Sequence, residues 1–234
     1  MFEREDRPNV LVAGFSRCAT TYLYNLLKQH PDIHIPEEKE INYLHKYPLL
    51  LSHPALVNPK FFMPKSWYLK KFKSDRKIKI DFSVMTAYDL DSSKRLMNEL
   101  GDIKIIFITR NKKEHAQSVQ KTLENHGEKM KINASYYSDF EKFMAPYKNT
   151  FSKVLTISME DLSDNPEKTI NKIWKFMEIS REKINLKVYQ NPSNNYFEDK
   201  HGSKLKFYKF RFKRNALKTV SYLLSSIVGF RKVE

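Results

Sequence analysis

The stretch Val10-Leu11-Val12-Ala13-Gly14-Phe15-Ser16-Arg17-Cys18-Ala19-Thr20-Thr21-Tyr22-Leu23 decides the architecture. The apolar run from Asn9 to Ala13 reads as a buried strand, and Gly14 marks a tight turn at its end. From Thr20 to His30 the residues Tyr22, Leu23, Leu26 and Leu27 recur at helical spacing until Pro31 closes the segment. A strand running through a short loop into a helix presents free backbone N–H groups and the positive end of the helix dipole to one point, which suits an anion. Thr20 and Thr21 add hydroxyl donors and Arg17 adds a charge, so phosphate is the natural ligand. Taken alone, the loop is equally compatible with an ordinary strand-to-helix turn capped by threonines.

The same unit recurs downstream. Lys77 to Ser83 reads as a strand before a helix from about Asp91 to Leu100. Lys104 to Thr109 is the strongest strand and leads to a helix from about Lys113 to Asn125. Val154 to Ser158 is another strand, after which Pro166 opens a helix through Ile170, Ile173, Trp174 and Met177. Strands alternating with helices predict an α/β fold, a central parallel sheet flanked by helices. In such sheets ligands bind beyond the carboxyl ends of the strands, which directs attention to the loops after Ala13, Ile80 and Ile108. No repeat or linker divides the chain, so residues 1–234 read as a single domain.

Composition narrows the partners. The 234 residues are 41% hydrophobic, enough for one core, and 42 Lys/Arg against 27 Asp/Glu leave a net charge of +15. An anionic ligand follows more naturally than a cationic one. Five glycines and ten prolines exclude collagen-like architecture, and the single cysteine, Cys18, excludes an internal disulfide or a zinc cluster. No His, Cys or carboxylate set has metal-ligand spacing, so no metal is expected. The first eight residues carry mixed charge and no apolar stretch, so a cytoplasmic protein is expected.

Residues 200–234 form a basic extension, ten Lys/Arg against one acid, holding nine of the fifteen net charges. Its apolar run from Ala216 to Phe230 falls short of the about 20 residues that span a bilayer. It reads either as a helix packed on the domain or as a basic amphipathic element touching an anionic membrane surface. No RNA- or DNA-binding motif accompanies the charge, and no nucleic-acid partner is expected.

Compared with a Walker A loop, Gly14 and Thr21 match, but Ala19 replaces the second glycine and Thr20 the lysine. Without that lysine, and with no magnesium-holding acid evident at neighbouring strand ends, ATP or GTP hydrolysis by a P-loop kinase is the weaker alternative. The loop, together with Gln29-His30-Pro31-Asp32-Ile33 and Lys39-Glu40-Ile41-Asn42-Tyr43, instead resembles the opening of the PAPS-dependent sulfotransferases, carbohydrate-type members above all. That family reads approximately G-x-x-[KR]-[SC]-[GA]-T-T-x-L, then H-P-x-I, then K-E-x-x-[FY]. Arg110 followed eight residues later by Ser118 resembles the family's 3′-phosphate element, with Lys112 standing where proline is usual and His115 where arginine or aspartate is common. Trp67-Tyr68 with Phe72, Ile80-Asp81-Phe82-Ser83, and Met159 to Pro166 resemble further segments, so the likeness runs from about Val10 to Met177.

The resemblance implies a P-loop-like sulfotransferase fold and an enzyme moving a sulfuryl group from 3′-phosphoadenosine-5′-phosphosulfate (PAPS) to a hydroxyl. The implied acceptor is a carbohydrate, with a lipid or aryl alcohol as the alternative. Gly14, Ser16, Arg17, Cys18, Ala19, Thr20, Thr21 and Tyr22 would hold the 5′ end, Arg110 and Ser118 the 3′-phosphate, and Lys204 the family's final cofactor loop. Arg17 would neutralise the departing phosphate, Glu40 would act as base, and Lys39 would steady the sulfuryl oxygens or orient the base. A solvated charged turn over Pro36 to Glu40 is the competing reading of Glu40, with His45 and His115 as reserve bases. Cys18, at a helix N-terminus, is either a thiol of lowered pKa or simply a small residue that the loop tolerates.

Overall fold

A computed structural model describes residues 6–45, 59–125 and 134–188. Five parallel strands lie in the order β2-β3-β1-β4-β5, where β1 is Val10–Gly14, β2 Ile33–His34, β3 Ile78–Phe82, β4 Lys104–Thr109 and β5 Val154–Ser158. The chain builds one side of β1 first, crosses over it after β3, and finishes on the other side. β1 pairs with β3 from Val10 opposite Ile80 and with β4 from Val10 opposite Lys104. The crevice at the carboxyl end of β1 therefore lies where the winding reverses, the usual ligand position in such sheets.

Around the sheet run α1 (Thr20–Leu27), α2 (Lys65–Leu69), α3 (Ser92–Leu100), α4 (Lys112–Asn125), α5 (Ala134–Tyr137), α6 (Phe140–Thr150), α7 (Met159–Asp164) and α8 (Pro166–Met177). Single-turn 3₁₀ segments cover Pro59–Phe62, Lys70–Phe72 and Val84–Tyr88. Every residue of β1 and β3 is buried, as sheets covered on both faces require. α8 buries Ile170, Ile173, Trp174 and Met177 at helical spacing, each contributing about 1.5–3 kcal/mol. α6 carries Pro146 in its interior, at a cost of about 3 kcal/mol. Burial of Phe140, Phe143, Met144 and Tyr147 on its inner face outweighs that cost.

Sequence and structure differ at the end of α1, which stops at Leu27 and not at His30. The His30 ring accepts the Asp32 N–H at 3.1 Å through Nδ1 and meets the Ser180 carbonyl at 3.1 Å through Nε2, turning the chain toward β2 before the helix reaches Pro31. Gly14 is fixed by packing: a Cβ there would stand 3.0 Å from the Ala87 Cβ and 3.4 Å from Phe107. Among the described residues no helix is long and apolar enough to cross a membrane. Lys204 and the basic extension lie outside the described residues.

Candidate functional site

The loop from β1 to α1 is held from beneath. Phe15 donates its N–H to the Ile108 carbonyl at 2.9 Å, and its ring sinks into a cluster with Tyr88, Phe107 and Phe140. The His115 Nε2–H donates to the Ser16 carbonyl at 2.9 Å, while Nδ1 meets the Ser138 hydroxyl at 2.8 Å. Burial keeps this imidazole neutral by pushing its pKa down. Both ring nitrogens are thus engaged in bracing the loop, which explains the departure from the family's usual residue at this position.

Above this support the backbone adopts left-handed conformations at Arg17 (φ 66°) and Ala19 (φ 55°). Ala19 is the residue at which the family often carries glycine, and a positive φ is the reason for that preference. Leu23 is the first α1 residue whose N–H reaches a helix carbonyl, that of Ala19 at 3.1 Å. The amides of Thr20, Thr21 and Tyr22 precede it and project from the helix end. The Tyr22 hydroxyl donates to the Leu186 carbonyl at 2.9 Å, so Tyr22 offers this end its backbone. Cys18 is fully buried and burial pushes its thiol pKa up, which overturns the reading of a reactive thiolate and leaves that of a small packing residue.

The carboxyl end of β4 meets this loop directly. The Arg17 Nε–H donates to the Ser118 Oγ at 3.1 Å, and the Arg110 Nη1–H donates to the Arg17 carbonyl at 3.2 Å. Residues 101 and 93 positions apart in sequence thereby form one cationic cluster at the tips of adjacent strands. Arg110 also pairs with Glu114, one helical turn along α4, at 2.7 Å. Its Nε is buried and has no hydrogen-bond acceptor among the described residues, a donor of the kind a ligand satisfies.

A third segment arrives from the opposite side. The Lys39 Nζ donates to the Thr21 Oγ1 at 3.0 Å and lies 5.3 Å from the centre of the Phe82 ring. Burial lowers the pKa of Lys39, opposed by the charge of Glu40. Glu40 has φ 61°, donates its N–H to the Phe82 carbonyl at 3.1 Å, and accepts the Val84 N–H on Oε2 at 3.1 Å. It is half-buried and built into the fold, unlike a residue of a solvated turn. Burial pushes its pKa up to about 7, with Lys39 lowering it and Asp81 raising it. The Lys60 Nζ donates to the Glu40 carbonyl at 3.1 Å and pairs with Glu38 at 2.7 Å, and Lys71 pairs with the same Glu38 at 2.6 Å.

Behind Glu40 stands Asp81, one residue before the end of β3 and next to β1. The sequence reading named Asp81 in the Ile80-Asp81-Phe82-Ser83 segment but saw no magnesium-holding acid at a strand end next to β1. Its oxygens are committed, Oδ2 accepting from the Tyr68 hydroxyl at 2.7 Å and Oδ1 from the Ser83 hydroxyl at 2.5 Å. His45, the other reserve base, is buried. Among the described residues no group of three or more His, Cys, Asp and Glu side chains gathers to hold a metal ion. The structure thus brings together three of the predicted segments, Gly14 to Tyr22, Lys39-Glu40, and Arg110 with Ser118.

The family profile described as the sulfotransferase domain matches residues 7–218. Among solved structures, the chain is similar to a sulfotransferase from Alicyclobacillus acidocaldarius at 19% identity and a TM-score of 0.67, over 80% of this chain and 87% of that one. It is also similar to the sulfotransferase domain from the curacin biosynthetic pathway, at 15% identity and a TM-score of 0.54, over 75% of each chain. No curated protein matches the sequence.

Proposed function

The chain belongs to the sulfotransferase domain family, and from that membership we propose that it transfers a sulfuryl group from PAPS to a hydroxyl of a carbohydrate. The observation that supports this most is the hydrogen-bonded contact of Arg17, Arg110 and Ser118 beside the Thr21–Lys39 pair. Two guanidinium groups, a serine hydroxyl and a helix N-terminus at one place fit a doubly phosphorylated adenosine. The buried, unsatisfied Nε of Arg110 is a further donor for it. PAPS supplies an activated sulfuryl group attached to a phosphate that leaves as adenosine 3′,5′-bisphosphate.

In this reading Arg17 and the amides of Thr20 to Tyr22 neutralise charge growing on the departing 5′-phosphate, and Arg110 and Ser118 hold the 3′-phosphate. Glu40 takes the acceptor proton as the acceptor oxygen forms its bond to sulfur and the sulfur–oxygen bond to phosphate breaks. A carboxylate whose pKa lies near 7 suits that task, because it is a stronger base than an exposed glutamate while half of it stays ionised at neutral pH. Lys39, tied to Thr21 and next to Glu40 in sequence, steadies the sulfuryl oxygens or orients the base in this reading. The carbohydrate preference rests on the Lys39-Glu40…Tyr43 and Trp67-Tyr68 segments, and a lipid or aryl alcohol is the alternative acceptor.

Isothermal calorimetry with adenosine 3′,5′-bisphosphate tests the cofactor half of the proposal, with saturable binding expected and its absence refuting it. Labelled PAPS offered with sugars, sterols and phenols tests the acceptor half. Label transfer confined to phenols or sterols would replace the carbohydrate reading.

A further inference from the structure

Asp81 is a buried acid, 4% exposed, in a strand every residue of which is buried. An ionised carboxylate in such a place costs several kcal/mol of desolvation, which a neutral residue of the same shape avoids. Burial pushes the Asp81 pKa up, and the hydroxyls of Ser83 and Tyr68 and the charge of Lys60 oppose that rise and favour the carboxylate, although an amide oxygen in its place would also accept from both hydroxyls. The hydrogen bonds continue outward. Ser83 Oγ, while donating to Asp81, accepts the Asn42 N–H at 2.9 Å. Asn42 is left-handed at φ 51°, two residues after left-handed Glu40. The last residue of β3 takes the Glu40 N–H on the Phe82 carbonyl, and the 3₁₀ segment that follows gives the Val84 N–H to the Glu40 carboxylate.

We propose that Asp81 is a positioning residue for Glu40, fixing the Glu40–Asn42 turn through Ser83 and setting a second negative charge behind the base. The proposal rests on the reading of Glu40 as base given above. The charged groups around Glu40 are few. Lys39 precedes it and reaches Thr21 of α1. Lys60 from the 3₁₀ segment Pro59–Phe62 holds its carbonyl and is itself paired with Glu38. Asp81 comes from β3, while the 3₁₀ segment Val84–Tyr88 contributes backbone amides. Lys39 draws the proton off Glu40 and Asp81 keeps it on, so Asp81 preserves basicity that Lys39 alone would diminish. Ser83 carries the orientation, and its hydroxyl also helps Asp81 keep its charge, so its loss acts in the same direction as the loss of Asp81 and no further.

The test is a titration of the full chain by carbon NMR of labelled glutamate side chains, with Glu40→Gln identifying the Glu40 resonance. Turnover with PAPS and the acceptor found in the label screen is measured in parallel. In the wild type the Glu40 midpoint is expected near 7. Asp81→Asn is expected to lower it by about one pH unit and to reduce kcat by about tenfold or more, with affinity for adenosine 3′,5′-bisphosphate unchanged. Ser83→Ala is expected to reduce kcat and to lower the midpoint by no more than Asp81→Asn does, and Ser83→Thr to restore both. An unmoved midpoint in Asp81→Asn overturns the proposal, as does a loss confined to nucleotide affinity. If Asp81→Asn fails to fold, Ser83→Ala decides, and wild-type kcat in that variant overturns the proposal. Wild-type turnover in Glu40→Gln removes the base reading and this proposal with it. An inactive Glu40→Gln beside a fully active Asp81→Asn removes the proposal alone.

Discussion

Replacing Glu40 by glutamine should make the protein more stable and far less active, with the stability gain confined to neutral and alkaline pH. The folded-state pKa is raised from 4.5 to about 7 by burial, so the native state binds the Glu40 proton more tightly than the unfolded chain does. The stabilisation from that proton is therefore complete below about pH 4.5 and is lost as pH rises through 7. Converted at 1.36 kcal/mol per pH unit, the gap corresponds to at most about 3 kcal/mol carried against the wild type at pH 8. A glutamine side chain carries no such penalty, and its amide oxygen still accepts the Val84 N–H that Oε2 accepts in the wild type. Urea unfolding at pH 5 and pH 8 measures the difference: the variant should gain about 1–3 kcal/mol at pH 8 and little at pH 5. Turnover should fall by about 10²–10⁴-fold, the range of a lost general base. A variant less stable than wild type at pH 8, or a gain equal at both pH values, would refute the assignment of a half-buried, proton-binding carboxylate.

Arg17→Ala should abolish transfer without changing the midpoint of urea unfolding by much, and near-normal turnover would remove Arg17 from the mechanism. Arg110→Lys keeps a charge but loses the fork that reaches both the Arg17 carbonyl and Glu114. Calorimetry should show about 10- to 100-fold weaker binding of adenosine 3′,5′-bisphosphate, and an unchanged Kd would contradict its role. Ala19→Gly relieves the left-handed backbone at φ 55°, worth about 1–2 kcal/mol, offset by about 0.5–1 kcal/mol of glycine entropy. A stability between unchanged and about 1.5 kcal/mol higher is expected, and a destabilised Ala19→Gly would show that the alanine methyl packs against the loop.

Much of the fold could be read from pattern. β4, β5 and α8 begin and end where their apolar runs and Pro166 place them; in β4 and α8 the pattern agrees with burial, while in the edge strand β5 only Ile157 is buried. α6 was not legible, since Pro146 argues locally against a helix that only tertiary burial of Phe143, Met144 and Tyr147 sustains. The short β2 and α2 gave no periodic signal of their own. In the site, Gly14 to Tyr22 and the Arg110…Ser118 pair were visible as motifs, because each sits at one strand end. The contacts that brace them were not. His115 reaches Ser16 across 99 positions, and Lys39 reaches Thr21 across 18. Asp81 was visible only as part of the Ile80-Asp81-Phe82-Ser83 likeness and without a role: a lone acid in an apolar strand gives no pattern, and its significance lies in contacts with Ser83 and Tyr68, and through Ser83 with Asn42, which only folding assembles.

The support beneath the β1–α1 loop has a thermodynamic meaning of its own. With the Phe15 amide fixed on Ile108 and the Ser16 carbonyl fixed by His115, the cradle acquires its shape when the protein folds and not when ligand arrives. Preorganisation of this kind spares association the entropy of ordering a glycine-poor loop, and it places the stabilising dipoles before any charge has moved. Substitutions in the hidden aromatic floor around Phe15 would consequently register as slower chemistry, because those rings set the shape of the loop above them.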